Sequence, residues 1–269
     1  MTPDGLVPTA APGVFLGSAA VESVIGALRS ALAGLAGTHT PRSLYAPPVI
    51  AGSVMAKVEY RRYFPHLLAT VFTADGESDL VLLPAGCYCV YPAYEGVQLD
   101  SAIELDVEAT CFREERSAEP GRLRSFRMRE FVHIGPEDGC RAWRDERVAA
   151  ARTWLAGLGL KIDVVAAGDA FFGAGSRLLQ RLQIEEELKL ELVAEVAGGV
   201  TQAVASGNYH KDRFGGLFAI AGPGGSPAHS ACIAFGYERL ALALTHRHGR
   251  DPGGWPPGVR AQLGWPARP

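Results

Sequence analysis

The stretch TCFREERSAEPGRLRSFRMREFVHIG, residues 110–135, decides how this chain is read. Before it, Ile103, Leu105 and Val107 alternate with other residues, positions 114–124 are polar, and alternation resumes through Phe126, Met128 and Val132. A period of two on both sides of a charged loop predicts two strands joined as a hairpin. Its cargo is unusual, because Arg113, Glu115, Arg122, Arg124, Arg127, Arg129 and Glu130 lie on or beside it. Core strands tolerate that much charge only if it pairs across a solvated face or if one face lines a polar cleft. Charge alone favours the ion-paired face, whereas the order of the residues favours the cleft.

Phe112-Arg113-Glu114-Glu115, an arginine-bearing loop, and Phe126 followed four residues on by Glu130 resemble motif 2 of the class II aminoacyl-tRNA synthetases. The chemistry suits the pattern: a strand arginine can fork onto a phosphate, a carboxylate two residues on shares its strand face, and an aromatic ring can stack on a base. By that resemblance Arg113 takes the α-phosphate of ATP, Glu115 the adenine edge and Phe126 its face, with Arg122 and Leu123 touching the nucleotide. Downstream, Gly236-Tyr237-Glu238-Arg239-Leu240 resembles motif 3, with Arg239 in the first turn of a helix, where the dipole favours an anion. There Arg239 would grip the γ-phosphate.

Working outward, 269 residues with 48% hydrophobic content read as a single globular domain, with residues 1–16, rich in Pro and Gly, as a loose N-terminal arm. Val21, Val24, Ile25, Leu28, Leu32 and Leu35 recur at helical spacing up to Gly37. LLATVF and LVLLPAG predict strands about the turn at Asp75-Gly76, residues 138–158 a helix, and residues 161–165 a short strand. LKLELVAEV, residues 188–196, alternates cleanly and puts Lys189 and Glu191 on one face, either solvated or lining the same cleft. A further strand runs through VTQAVASGNYH.

A net charge of −3 and a sequence pI near 6.2, with no basic run, give no field that would attract a polyanion. Five irregularly placed cysteines and the lack of a long apolar span point to reduced thiols, a cytoplasmic enzyme and no membrane. Cys87 and Cys89 close an expected strand, and at most one of them is expected to serve a given metal site. The histidines are scattered, form no Ser-His-Asp or Cys-His arrangement, and read mostly as structural.

The resemblance narrows when the remaining segments are added. FPHLL, the cysteine-bearing CYCVYP, CFREERS with RSFRMREFVHIG, NYHKDRFG, HSACIAFGYERLALAL and HGRDPGGWPPGVRAQL together resemble the amino acid:carrier-protein ligases, truncated relatives of the methanogen-type seryl-tRNA synthetases. That resemblance implies an α+β fold, a class II antiparallel sheet of six or seven strands flanked by helices, in a homodimer. It implies Zn²⁺ on Cys87, Glu130 and Cys232 with its open position for the substrate's α-amino group, and Mg²⁺ held partly by Glu191. Lys189, Ser206, Gly207 and Asn208 would lie at the adenylate. Leu190 and Gly207 depart from the expected aromatic and bulkier residues, which puts the amino-acid preference in question. The implied reaction activates a small amino acid such as glycine, alanine or serine with ATP and loads it on the phosphopantetheine arm of a carrier protein, with no tRNA. The alternatives are a minimal seryl-tRNA synthetase-like enzyme and an inactive paralogue acting as a binding subunit.

Overall fold

The computed structural model of the chain describes residues 5–36, 41–115 and 117–266. A short hairpin of β1 (Leu6–Pro8) and β2 (Phe15–Gly17) leads into α1 (Ala19–Leu32). Then come β3 (Arg42–Ala46), β4 (Val49–Ala51), the short helices α2 (Gly52–Lys57) and α3 (Tyr60–Tyr63), β5 (Thr70–Thr73) and β6 (Gly76–Leu82). The long hairpin β7 (Ile103–Phe112) and β8 (Ser125–Gly135) is followed by α4 (Glu137–Gly157), β9 (Asp163–Ala166), α5 (Ser176–Glu185), β10 (Lys189–Ala197) and β11 (Val200–Lys211). The chain continues through α6 (Arg213–Leu217), β12 (His229–Gly236), α7 (Tyr237–His248) and α8 (Pro257–Gln262).

Seven strands form one sheet in the order β3-β7-β8-β12-β11-β10-β9. Five of its six strand pairings are antiparallel, but β3 lies parallel to β7, so the expected antiparallel sheet carries one parallel edge. The chain travels from β3 to β7 by way of a separate three-stranded sheet, β4-β6-β5, and that long crossover brings it back in the same direction.

Because successive strand residues face opposite ways, the sheet divides the interior into two cores. Behind it, Phe131, Ile233, Phe235 and Leu192 pack with Val24, Leu28 and Leu32 of α1, Leu155 of α4 and Leu240 and Leu244 of α7. Leu28 and Leu32 are wholly buried, each contributing about 1.5–3 kcal/mol of transfer free energy. In front, Leu105, Val107, Val132 and Cys232 pack with Met55, Val81, Leu83 and Tyr91 beneath the small sheet. The front core is incomplete, and the gap is the candidate site.

Two local expectations change. Residues 6–17 are not a loose arm: Leu6 is buried in the rear core, and Gly13 O accepts from Arg124 N at 2.8 Å while Pro12 O accepts from the Arg124 guanidinium at 3.1 Å. Residues 1–4 and Gly37 lie outside the described residues. Cys87 and Cys89 sit on a 3-10 turn, Gly86–Cys89, not on a strand. No helix among the described residues is long and apolar enough to cross a membrane.

Candidate active site

Register decides which side chains meet. Glu130 pairs with Ala234, Ala234 with Ser206 and Ser206 with Glu191. Two residues along, Val132, Cys232, Asn208 and Lys189 form the next row on the same face. Two antiparallel rows thus assemble carboxylates, a thiol, an amide and a lysine from residues up to about a hundred positions apart in sequence. Gly207 and Leu190 fall in the intervening row with Ile233, which faces rearward. A Cβ on Gly207 would meet Val148 Cγ2 at 2.4 Å and Arg144 Cδ at 3.1 Å, both on α4. Gly207 is therefore not substrate-facing, and neither departure from the expected pattern touches the cleft. Arg127 and Arg129 also point rearward, Arg127 to Glu22 and Glu238 and Arg129 to Asp106, so the ion-paired reading holds for that half of the hairpin.

One end of the cleft gathers three arginines and a lysine. A cavity of about 670 Å³ is lined by Arg113, Arg122, Arg239 and Lys189 together with Glu114, Glu115, Asp169 and Glu191. Arg113 donates from Nε to Pro84 O at 3.0 Å, and its guanidinium lies 5.3 Å from the Phe126 ring centroid. Phe126 and Leu123 wall the adjoining slot. Glu115 is ion-paired with Arg122, which also reaches Glu119. Arg239 donates to Gly121 O and Ala203 O, each at 2.9 Å, and makes no ion pair with a carboxylate among the described residues. Burial, then repulsion from Arg113 and Arg122, pulls its guanidinium down to about 10. A guanidinium held in a partly dry site on backbone carbonyls alone is a group that a phosphate would pair with. Lys189 Nζ lies 2.7 Å from Asp169 and 3.0 Å from Glu191.

The other end is anionic. Cys87, Glu130 and Cys232 are all buried, and their ligand atoms lie within 4.8 Å of one another. Gly86 is needed here: its N–H donates to Glu130 Oε1 at 2.5 Å, and a Cβ would stand 3.1 Å from that oxygen. Burial, then charge on Cys232, pushes Glu130 up to about 7. Cys232 is driven well below the ordinary thiol range, first by its hydrogen bond with Cys87, whose own thiol rises. Asn208 Nδ2 at 3.5 Å and His210 Nε2 at 3.8 Å from Sγ also make Cys232 the thiol that ionises first. Three acidic groups crowded together in a buried spot favour a cation, and two sulfurs with one carboxylate suit zinc with a position left open. The residues present therefore fit the group that the resemblance implies. Cys89, Cys111 and Cys140 stand outside this cluster.

The structure adds residues that the sequence reading passed over. Asp169, in the irregular segment before α5, pairs with Lys189 and exchanges hydrogen bonds with Gln183. It lines both cavities, but a lone aspartate in aperiodic sequence carries no signal. His210 did carry one: it follows Ser206 and Asn208 at the same period of two and lines a second cavity of about 510 Å³ that contains the Cys87–Glu130–Cys232 group.

No family model matches the chain. "Amino acid--[acyl-carrier-protein] ligase 1" and "ligase 2" of Bradyrhizobium diazoefficiens are each 36% identical to it, across 94% of this chain and 85% and 83% of their own lengths. Among solved structures, M. kandleri SerRS in complex with A. aeolicus tRNASec superposes with a TM-score of 0.81 at 18% identity, covering 96% of this chain and 58% of that one. The cytoplasmic serine-tRNA ligase of Naegleria fowleri in complex with AMP gives 0.74 at 16% identity, covering 95% and 55%. These likenesses carry the fold, a class II synthetase core, and the chain spans a little over half the length of either synthetase. The level and reach of the identity to the two ligases show that this chain belongs to the amino acid–acyl-carrier-protein ligase family.

Proposed function

We propose that this enzyme activates a small amino acid with ATP as the aminoacyl adenylate and transfers the aminoacyl group to the phosphopantetheine thiol of a carrier protein. The observation that carries the reading is that the arginine-bearing end of the cleft and the Cys87–Glu130–Cys232 end share walls: Tyr60, Tyr88, Asp169 and Lys189 line both cavities. A substrate held by its amino group at one end presents its carboxylate to a phosphate held at the other.

In the first step a carboxylate oxygen attacks the α-phosphorus of ATP and the bond to pyrophosphate breaks. Arg113 faces the α-phosphate and Arg239 the γ-phosphate, and both are already ordered, so little reorganisation accompanies the developing charge. Glu115 accepts from the adenine amino group, giving up part of its bond with Arg122, while Phe126 stacks on the base. Zinc on Cys87, Glu130 and Cys232 would supply a Lewis-acid position for the α-amino nitrogen, and Glu191 would help hold Mg²⁺ on the phosphates. Asn208 and Ser206 line the path between the two ends, and Lys189 balances charge along it. In the second step the carrier sulfur attacks the acyl carbon and the bond to AMP breaks, with no protein nucleophile required. We read the protein as a homodimer, with β3 offering a free strand edge that carries Tyr45, 70% exposed.

The test is amino-acid-dependent exchange of labelled pyrophosphate into ATP. Glycine, alanine or serine should support it. Cys232→Ser and Glu130→Gln should abolish it with about one zinc per chain lost, while Cys89→Ser and Cys140→Ser keep it. Normal exchange by metal-free protein in chelator contradicts the zinc assignment.

A further inference from the structure

Among the described residues His210 is the one histidine whose ring faces the Cys87–Glu130–Cys232 group, and its two nitrogens meet different chemistry. Nε2 lies 3.8 Å from Cys232 Sγ. Nδ1 lies 3.1 Å from Ser230 Oγ and 3.3 Å from Tyr91 OH, on two residues that are almost wholly buried. The ring plane is fixed by Phe214 edge-on at 5.0 Å and Tyr91 edge-on at 6.4 Å, with Tyr91 and Phe214 stacked on one another at 4.0 Å. His210 therefore has one orientation in which to act.

A cysteine that ligates a metal is a thiolate, which accepts hydrogen bonds and cannot donate one. The imidazole nitrogen aimed at it must then carry the proton. A neutral imidazole has a single N–H, so Nδ1 is an acceptor; Tyr91 OH donates to Ser230 Oγ at 3.4 Å, which leaves the Ser230 hydroxyl, 3.1 Å away, to donate to Nδ1. We propose that His210 is a positioning residue of this centre: Tyr91 and Ser230 lock it as the Nε2–H tautomer, and its N–H, beside that of Asn208, donates to the Cys232 thiolate. The proposal rests on the reading that the centre holds zinc. Its consequence follows from the chemistry of sulfur ligands. Hydrogen bonds to a thiolate draw charge off the sulfur and orient its lone pairs, leaving the metal more electrophilic toward its remaining ligand. His210 is not itself in the group of ligand atoms that lie within 4.8 Å of one another.

The experiment compares His210→Ala, His210→Gln and Ser230→Ala with the unaltered protein. Zinc affinity is measured by competition with a chromophoric chelator, and the cobalt(II)-loaded proteins are compared by absorption. His210→Ala should weaken zinc about 10- to 100-fold, the usual cost of losing an outer partner of a metal ligand. It should also move the thiolate-to-cobalt charge-transfer band to lower energy while the intensity of the tetrahedral d–d bands is kept. His210→Gln, whose amide can still donate, should recover most of both. Ser230→Ala should shift both in the direction of His210→Ala but by less, and it keeps the idea testable if the alanine variant folds poorly. Unchanged affinity and an unchanged charge-transfer band in His210→Ala would overturn the proposal, as would d–d bands showing that a ligand had been lost. Failure of the unaltered protein to bind zinc or cobalt would overturn the zinc reading itself, and is told apart because no variant is involved.

Discussion

Replacing Arg239 by methionine should separate stability from activity. Arg239 sits in the first turn of α7 and lies beside Arg113 and Arg122, which together with burial lower it to about 10. At neutral pH the residue is protonated both folded and unfolded. Since its folded value lies below its unfolded one, the folded chain bears the whole cost of holding that charge, and relief comes only as pH rises through about 10. At about 1.4 kcal/mol per pH unit the drop from 12.5 corresponds to roughly 3 kcal/mol. Methionine removes this cost and forfeits the bonds to Gly121 O and Ala203 O, each worth about 1.5–3 kcal/mol for a charged donor. The two contributions largely cancel, so the thermal midpoint should move by only a few °C, at about 2–4 °C per kcal/mol for a chain of this size. Pyrophosphate exchange should nevertheless fall about 10²- to 10³-fold, as when a preorganised charge-stabilising donor is lost. Pyrophosphate at about a hundred times its Kd should stabilise the unaltered protein by roughly 2.7 kcal/mol in calorimetry and the variant by far less. A variant that melts more than about 10 °C lower, while the folded fraction keeps its exchange rate, would refute the reasoning and make Arg239 a structural residue.

Two further outcomes follow from the rear face. Gly207→Ala should destabilise by about 1–3 kcal/mol in urea titration, because its Cβ would collide with Val148 and the Arg144 stem, while the ranking of amino acids in exchange stays as it was; a changed ranking without a stability loss would return Gly207 to the substrate pocket. Burial, then Arg147, lowers His133 to about 4; its ring stacks on Trp143 with neither nitrogen hydrogen-bonded, and Glu104, 3.6 Å from Nδ1, does not offset this. The unfolded chain therefore binds the proton first, so stability is present above about 6.5 and is lost as pH falls toward 4. The urea midpoint should drop over that window, and less steeply in His133→Phe; parallel profiles would show that His133 does not contribute.

The hairpin of residues 110–135 and the β10 strand were legible because a period of two survives in them, and it placed Lys189 and Glu191 on one face without any structure. The convergence of Cys87, Glu130 and Cys232 was not written in any periodicity; it came through resemblance and depends on pairing between strands distant in sequence. Gly207 was misplaced for a related reason. Its neighbour Asn208 faces the cleft, but adjacent strand residues face opposite ways, so the residue beside a ligand-facing one supports α4 packing instead. The same rule, applied one step further along the strand, would have found His210. The parallel β3 edge was hidden because a crossover's direction depends on where the chain returns, which local sequence does not encode.

The central claim is transfer to a carrier thiol, and one measurement meets it directly. The enzyme, ATP and a labelled small amino acid are incubated in parallel with holo carrier protein bearing phosphopantetheine, with the same carrier lacking the arm, and with total tRNA. The account predicts label on the holo carrier alone, released by hydroxylamine or thiol as a thioester would be. Label on tRNA, or adenylate formation with no transfer to any holo carrier, would contradict it.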